Sequence, residues 1–145
     1  TMAITSAVCN SFKTEILTAV HNFTAGGANV FNLALYTSSA TLNKSTTVYI
    51  TSGEVATATG YTAKGKALTS VTPVLSTDTA VCDFDNISWT SASFTANGCL
   101  IFNDTATGDP ACCAIAFGGD KTVTSGTFTV EFPAPAAATA IIAIA

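Results

Sequence analysis

The chain contains no arginine, one histidine, one tryptophan and one methionine, and only 10% of its residues are charged. An average globular domain is roughly a quarter charged. All five basic residues are lysines (Lys13, Lys44, Lys64, Lys66 and Lys121), set against nine carboxylates for a net charge of −4. Without arginine there is no fork for bidentate phosphate or guanine contacts, and no basic cluster replaces it, which argues against nucleic acid as a direct partner. The lone histidine, His21, has no nucleophile signature beside it. Acid–base or nucleophilic catalysis therefore lacks its usual parts, and the expectation is a protein that is not an enzyme. No apolar run approaches the roughly 20 residues of a membrane-spanning helix. The start of the sequence lacks the basic and apolar regions of a signal peptide, so assembly in the cytoplasm is expected, with no membrane partner.

The cysteines Cys9, Cys82, Cys99, Cys112 and Cys113 are odd in number and form no CxxC pair. They read as reduced, buried small hydrophobes, with Cys112 and Cys113 on opposite faces of a strand. No structural metal is expected.

What the sequence does have is 48% hydrophobic residues within 145, and abundant serine and threonine in place of charge. That length fits one domain, here residues 1–145. Ser and Thr hydroxyls compete for backbone partners and favour strands and turns over helix interiors. One helix is expected over residues 5–23, where Val8, Phe12, Ile16, Val20 and Phe23 recur at helical spacing. Thr5 or Ser6 would cap it, Gly26–Gly27 would end it, and His21 would lie near its C-terminal end, exposed or facing the last carbonyls.

Beyond the glycines the pattern changes to alternation and short apolar runs. Strands are expected near Val30–Tyr36, Thr47–Thr51, Ala67–Leu75, Ala80–Phe84, Ile87–Trp89, Ser93–Phe102, Cys112–Phe117, Gly126–Phe132 and Ala140–Ile144. Phe31, Leu33 and Leu35 would face inward, as would Leu100 and Phe102. "GTFTVEFP" alternates Phe128, Val130 and Phe132 with Thr127, Thr129 and Glu131. Trp89 and the phenylalanines would form the core; a carbohydrate-stacking platform is the alternative use. The apolar end, "AIIAIA", would be an aggregation hazard unless buried in the domain's own sheet or donated to a neighbour. The fold class is thus mainly β: an antiparallel β-sandwich or barrel-like domain with one N-terminal amphipathic α-helix and an extended loop or arm.

Two acidic pairs, Asp83/Asp85 and Asp104/Asp109, do not complete a calcium loop and read as turn residues. "AFGGDKT" lacks phosphate-loop spacing and reads as a hairpin turn. No cofactor is implied.

The hydroxyl-rich stretch over 37–60 carries few core-sized residues, yet Val48, Tyr49 and Ile50 are strong strand formers. An extended arm or loop that orders against a neighbouring chain by strand addition fits both facts.

The phrases "NSFKTEIL", "VHNF", "FNLALYTSSATL", "GEV", "GYTAKGKAL", "FGGDKTVTSGTFTVEFPA" and "AIIAIA", in that order, resemble a family of small virion structural proteins of tailed bacteriophages. The resemblance spans nearly the whole chain. It departs from the family pattern in the cysteines and in the absence of arginine near the last strand. It implies a capsid decoration or cement protein on the phage head surface, made in the host bacterial cytoplasm, a homotrimer whose partners are itself and the major capsid protein. A tail or head-fibre component with a glycan-binding surface is the alternative. The residues expected at the partner contact are Met2, Ile4, Asn43, Lys44, Thr46, Thr47, Val48, Tyr49 and Ile50.

Overall fold

The computed structural model describes residues 2–58 and 60–145; the part of the expected arm at Thr59 lies outside the described residues. Among the described residues, eight strands and one short helix follow in the order β1 (Ala7–Val8), α1 (Asn10–Leu17), β2 (Phe31–Tyr36), β3 (Lys66–Ala67), β4 (Ser70–Ser76), β5 (Thr79–Phe84), β6 (Ile87–Asn103), β7 (Ala111–Val130) and β8 (Ile142–Ile144). They form a five-stranded sheet, β1-β7-β6-β2-β3, and a three-stranded sheet, β4-β5-β8. Every strand pair is antiparallel. The mainly β, sandwich-like class expected from composition is the one observed.

β2 lies between β6 and β3, and all six of its residues are buried. Its two faces are covered by different parts of the chain. Phe31 stacks on Phe23 (centroids 4.2 Å apart) and meets Phe84 of the small sheet at 6.1 Å. The hydroxyl of Tyr36, on the opposite face, donates to the carbonyl of Ile50 at 2.6 Å. Residues 37–58, with 60 and 61, are therefore a cover over the second face of the sheet, with Ala40, Leu42, Val55 and Tyr61 buried beneath it. Fully burying a large apolar side chain contributes roughly 1.5–3 kcal/mol, which favours this cover over an arm trailing in water.

The helix is shorter than its apolar spacing suggested. It starts after Cys9, which offers no side-chain cap, and ends at Thr18, followed by Ala19 in the left-handed region at φ 60°. Residues before it are captured by the sheet edge: Ala7 and Val8 pair with Ala114 and Cys113, and Ser6 accepts a hydrogen bond from the Ala116 amide at 2.9 Å instead of capping the helix. Residues 20–23 run as irregular chain that delivers His21 and Phe23 to the core. Gly27 belongs to a turn, its amide donating to Thr24, well beyond the helix end.

Three further expectations change. The stretch Thr47–Thr51 forms no strand, only a bridge of Val48 with Pro110. The stretch Ala67–Leu75 divides into β3 and β4, with the Asp85 amide bonded to the Thr69 carbonyl near the break. The segments expected as four strands fuse into the two long strands β6 and β7, joined by the turn carrying Asp104 and Asp109. "AFGGDKT" is consequently not a hairpin turn. Asn97 alone faces Phe117, Gly118, Gly119 and Asp120 between the pairs Gly98–Ala116 and Ala96–Lys121, so the glycines build a bulge inside β7. Asn97 Nδ2 donates to Asp120 Oδ1 at 2.9 Å across it.

The C-terminal apolar segment pairs through β8 with β5 of its own chain, burying Ile142 and leaving Ile144 exposed. Among the described residues, no helix is long and apolar enough to cross a membrane.

Candidate interaction surface

Most of the residues expected to touch a partner come together on one side of the molecule, where the segment before α1 runs beside the cover. The Thr5 amide donates to the Leu42 carbonyl (2.8 Å), Leu42 to Ala3 (3.0 Å) and Asn10 to Lys44 (2.8 Å). Ile4 bridges Leu42 and rests on Gly98, where any Cβ would meet its Cγ2 at 2.8 Å and the Ile115 carbonyl at 2.5 Å. Gly98 is thus the notch that seats Ile4. Met2 stands clear at 68% exposure.

The strand-forming residues of the cover bond within the chain. Tyr49 and Ala111 amides donate to the Asp109 and Thr47 carbonyls, each at 2.9 Å, fastening the cover to the β6–β7 turn. Asn43 and Thr46 fold into a local turn: Asn43 Oδ1 accepts from the Ser45 amide at 2.8 Å, and Thr46 Oγ1 from the Asn43 amide at 3.1 Å. What remains outward is a shallow hollow of about 350 Å³ lined by Thr41, Asn43, Ser45, Thr47, Val48 and Ile50. Lys44, Thr47 and Val48 are exposed, whereas Ile4, Asn43, Thr46, Tyr49 and Ile50 are half-buried.

A carboxylate that no sequence pattern singles out holds this surface in place. Glu54 accepts hydrogen bonds from the hydroxyls of Tyr49 and Tyr61 and from the Lys64 amide, the last two at 2.7 Å. The Tyr61 hydroxyl in turn accepts from the Leu35 amide at 2.9 Å, tying the hub to β2. Desolvation, then the hydrogen bond to Glu54, pushes the Tyr49 phenol up to about 12. Burial likewise pushes Tyr36 and Tyr61 well above the ordinary phenol range, so all three stay protonated donors. Lys64 Nζ bridges Asp109 (2.8 Å) and Asp104 (3.0 Å), and these bonds raise the ammonium's pKa above its ordinary value. The two aspartates of the turn clamp a lysine. Gly65, at φ 66°, completes this corner; a Cβ there would lie 1.8 Å from the Leu33 carbonyl oxygen.

His21 is not at a helix end in solvent. Its ring is buried against Phe12 (4.9 Å between centroids), with Nδ1 3.2 Å from Asn103 Nδ2 and 3.9 Å from Cys112 Sγ. Asn103 can only donate there, so Nδ1 accepts and the neutral ring carries its proton on Nε2, 3.6 Å from Glu15 Oε1. Glu15, His21 and Cys112 thus stand in the order of a nucleophile triad. Cys112, however, is fully buried, and desolvation holds its thiol well above the ordinary cysteine range. A nucleophile needs an accessible thiolate, so the trio acts as core packing. The other cysteines are also free; Cys9, Cys99 and Cys113 are buried and Cys82 is half-buried. Among the described residues no group of three or more His, Cys, Asp or Glu side chains is placed to hold a metal.

A second surface lies on the outer half of the β6–β7 hairpin. Trp89 is buried there against Tyr61 (6.1 Å) and Phe128 (6.3 Å) and offers no stacking platform for a sugar. Phe117, Val123, Phe128, Val130 and Phe132 are only half-buried. With Ile115 and Ile141 they line a groove of about 660 Å³. In comparison with known proteins, no family model, no curated protein and no solved structure matches the chain.

Proposed function

We propose that this chain is a non-enzymatic structural protein of a phage head, a cement or decoration protein that binds the outside of the shell and bridges capsomers. The observation that carries the reading is the pinned cover: a long hydroxyl-rich segment fixed by Glu54 and Lys64 that still presents Lys44, Thr47 and Val48 outward. A contact segment ordered before binding loses little conformational entropy on docking, and low charge spares it desolvation costs. The family resemblance of the sequence supplies the kind of partner, the major capsid protein. Many copies on one lattice would stabilise it by binding linkage and multivalency.

The test is reconstitution on heads of the parent phage lacking this protein. Added protein is expected to occupy the head surface in electron micrographs and to restore heat resistance. The double variant Lys44→Glu, Val48→Asp, altered only at exposed positions, is expected to fold normally and bind at least about tenfold more weakly. Absence from the head surface, or unchanged binding by this variant, would overturn the reading.

A further inference from the structure

On the outer half of the β6–β7 hairpin the pairs Ile87–Val130, Trp89–Phe128, Phe94–Val123 and Ala96–Lys121 share one face of the ribbon. Phe94 and Phe128 meet there at 5.1 Å, and Tyr61 packs on Trp89 and Phe94 from the cover. The hydroxyl pairs Ser88–Thr129 and Thr95–Thr122 take the other face, and Glu131 alternates onto it with Thr127 and Thr129. Among the pairs of the apolar face, Lys121 is thus the one charged residue. The β6 side of that face is buried at Ile87, Trp89 and Ala96, whereas Val123, Phe128 and Val130 of β7 are only half-buried. What stays open is a strip along β7, the groove of about 660 Å³, with Lys121 exposed at the end beside the bulge.

We propose that this groove binds a free long-chain carboxylate, a fatty acid in chemical class, with its head at Lys121 and its tail along Val123, Phe128 and Val130. The volume falls within the roughly 300–1,000 Å³ of small-ligand sites, which combine an apolar lining with a few placed polar groups. From Val123 to Val130 the strip is roughly 20 Å long, which suits an extended chain. Among the described residues Lys121 has no ion-pair partner, and the neighbouring Asp120 carboxylate is engaged by Asn97 Nδ2 at 2.9 Å. Glu131, which also lines the groove, lies on the polar face at the end far from Lys121. A single ammonium matches a single carboxylate, whereas phosphate recognition favours the arginine fork that this chain lacks. A bilayer surface fits less well, because electrostatic attachment draws on clusters of about 4–8 basic residues, and here one lysine stands in a chain of net charge −4. A peptide strand fits less well too, because the bulge at Phe117–Asp120 and the register shifts around Ala92 interrupt the edge it would need.

Calorimetric titration of the purified full chain with octanoate, decanoate and dodecanoate, below their micelle-forming concentrations, tests it. Saturable binding at one site per chain is expected, tightening about two- to fourfold with each added methylene as the tail covers more of the strip. Lys121→Glu, altered at an exposed position, should lower the affinity for decanoate about tenfold more than that for decanol, which has the same tail without the charge. Amide chemical shifts moved by decanoate should centre on residues 121–130. No binding up to near-millimolar dodecanoate, an affinity indifferent to chain length, equal effects of Lys121→Glu on decanoate and decanol, or shifts centred elsewhere would each overturn the proposal. Co-sedimentation with phosphatidylglycerol vesicles without binding of free decanoate would assign the strip to a bilayer and overturn it as well. The cover contributes no residue to the lining of this groove, so the outcome is independent of the head-binding reading.

Discussion

The two halves of the β6–β7 hairpin are built from the same two strands yet live in different surroundings. In the inner half, residues 98–103 pair with β2 on one side and β7 on the other, and Gly98 through Asn103 are all buried. In the outer half, residues 87–97 and 117–130 pair only with each other within the sheet. One of its faces is polar, with Ser88–Thr129 and Thr95–Thr122 hydroxyl pairs at 2.8 Å; the other is apolar and half-covered. A two-stranded ribbon is marginal by itself. The outer half depends on what lies against its apolar face: Tyr61 from the cover on one part, the open groove on the other.

The largest expected effect tests whether this division is energetic as well as geometric. Leu100→Ala, in the inner half, should cost about 2–5 kcal/mol of stability. Val123→Ala, paired with Phe94 in the outer half and only half-buried, should cost about 1 kcal/mol or less. Chemical denaturation of both variants measures the difference. Equal losses would mean that the ribbon belongs to the same cooperative core.

Smaller, but more selective, is the effect expected from Glu54→Gln. The amide keeps one acceptor oxygen but sets its own NH2 against one of the donors from Tyr49, Tyr61 or Lys64, a mismatch worth about 1–3 kcal/mol. Tyr61 lies 6.1 Å from Trp89 and 5.8 Å from Phe94, so loosening it should free the ribbon before the inner sheet. Amide hydrogen exchange should accelerate at residues 88–95 while residues 99–102 keep their protection. Uniform acceleration would show that the hub supports the whole sheet.

These contrasts were unequally legible in the sequence. The alternation from Thr127 to Phe132 survives in the structure as exposed and half-buried positions, because a strand's period is local. β2 was equally plain, although its apolar residues read as one inward face when neighbours bury both. The apolar spacing of residues 5–23 misled because Val8 satisfies a helical stripe and a sheet edge alike, and the β7 edge took it together with Ala7. Gly118–Gly119 reads as a turn in isolation; only Asn97 opposite makes it a bulge. The Glu54 hub joins residues 49, 54, 61 and 64 through side-chain reach rather than periodic spacing, so no local pattern announced it. Val48, Tyr49 and Ile50 read as an arm for a neighbouring chain, but pairing within the chain turned the expected arm into a cover.

The smallest expected effect probes the buried end of the inner half, where His21 faces Asn103, Cys112 and Glu15. Burial lowers the histidine's pKa from its ordinary 6.5, outweighing the attraction of Glu15. The folded chain therefore keeps the ring neutral at pH values where the unfolded chain has already taken up a proton. Its contribution to stability should be complete above pH 6.5 and should fall as the pH drops below that value toward the lower folded-state pKa. One proton limits the slope to about 1.4 kcal/mol per pH unit. His21→Gln should flatten this acid limb in urea titrations between neutral and mildly acidic pH, while leaving exchange in the outer ribbon unchanged. An acid limb identical in the variant would assign the loss to carboxylates elsewhere; a ribbon that loosened together with it would show that the two halves are coupled through β6 after all.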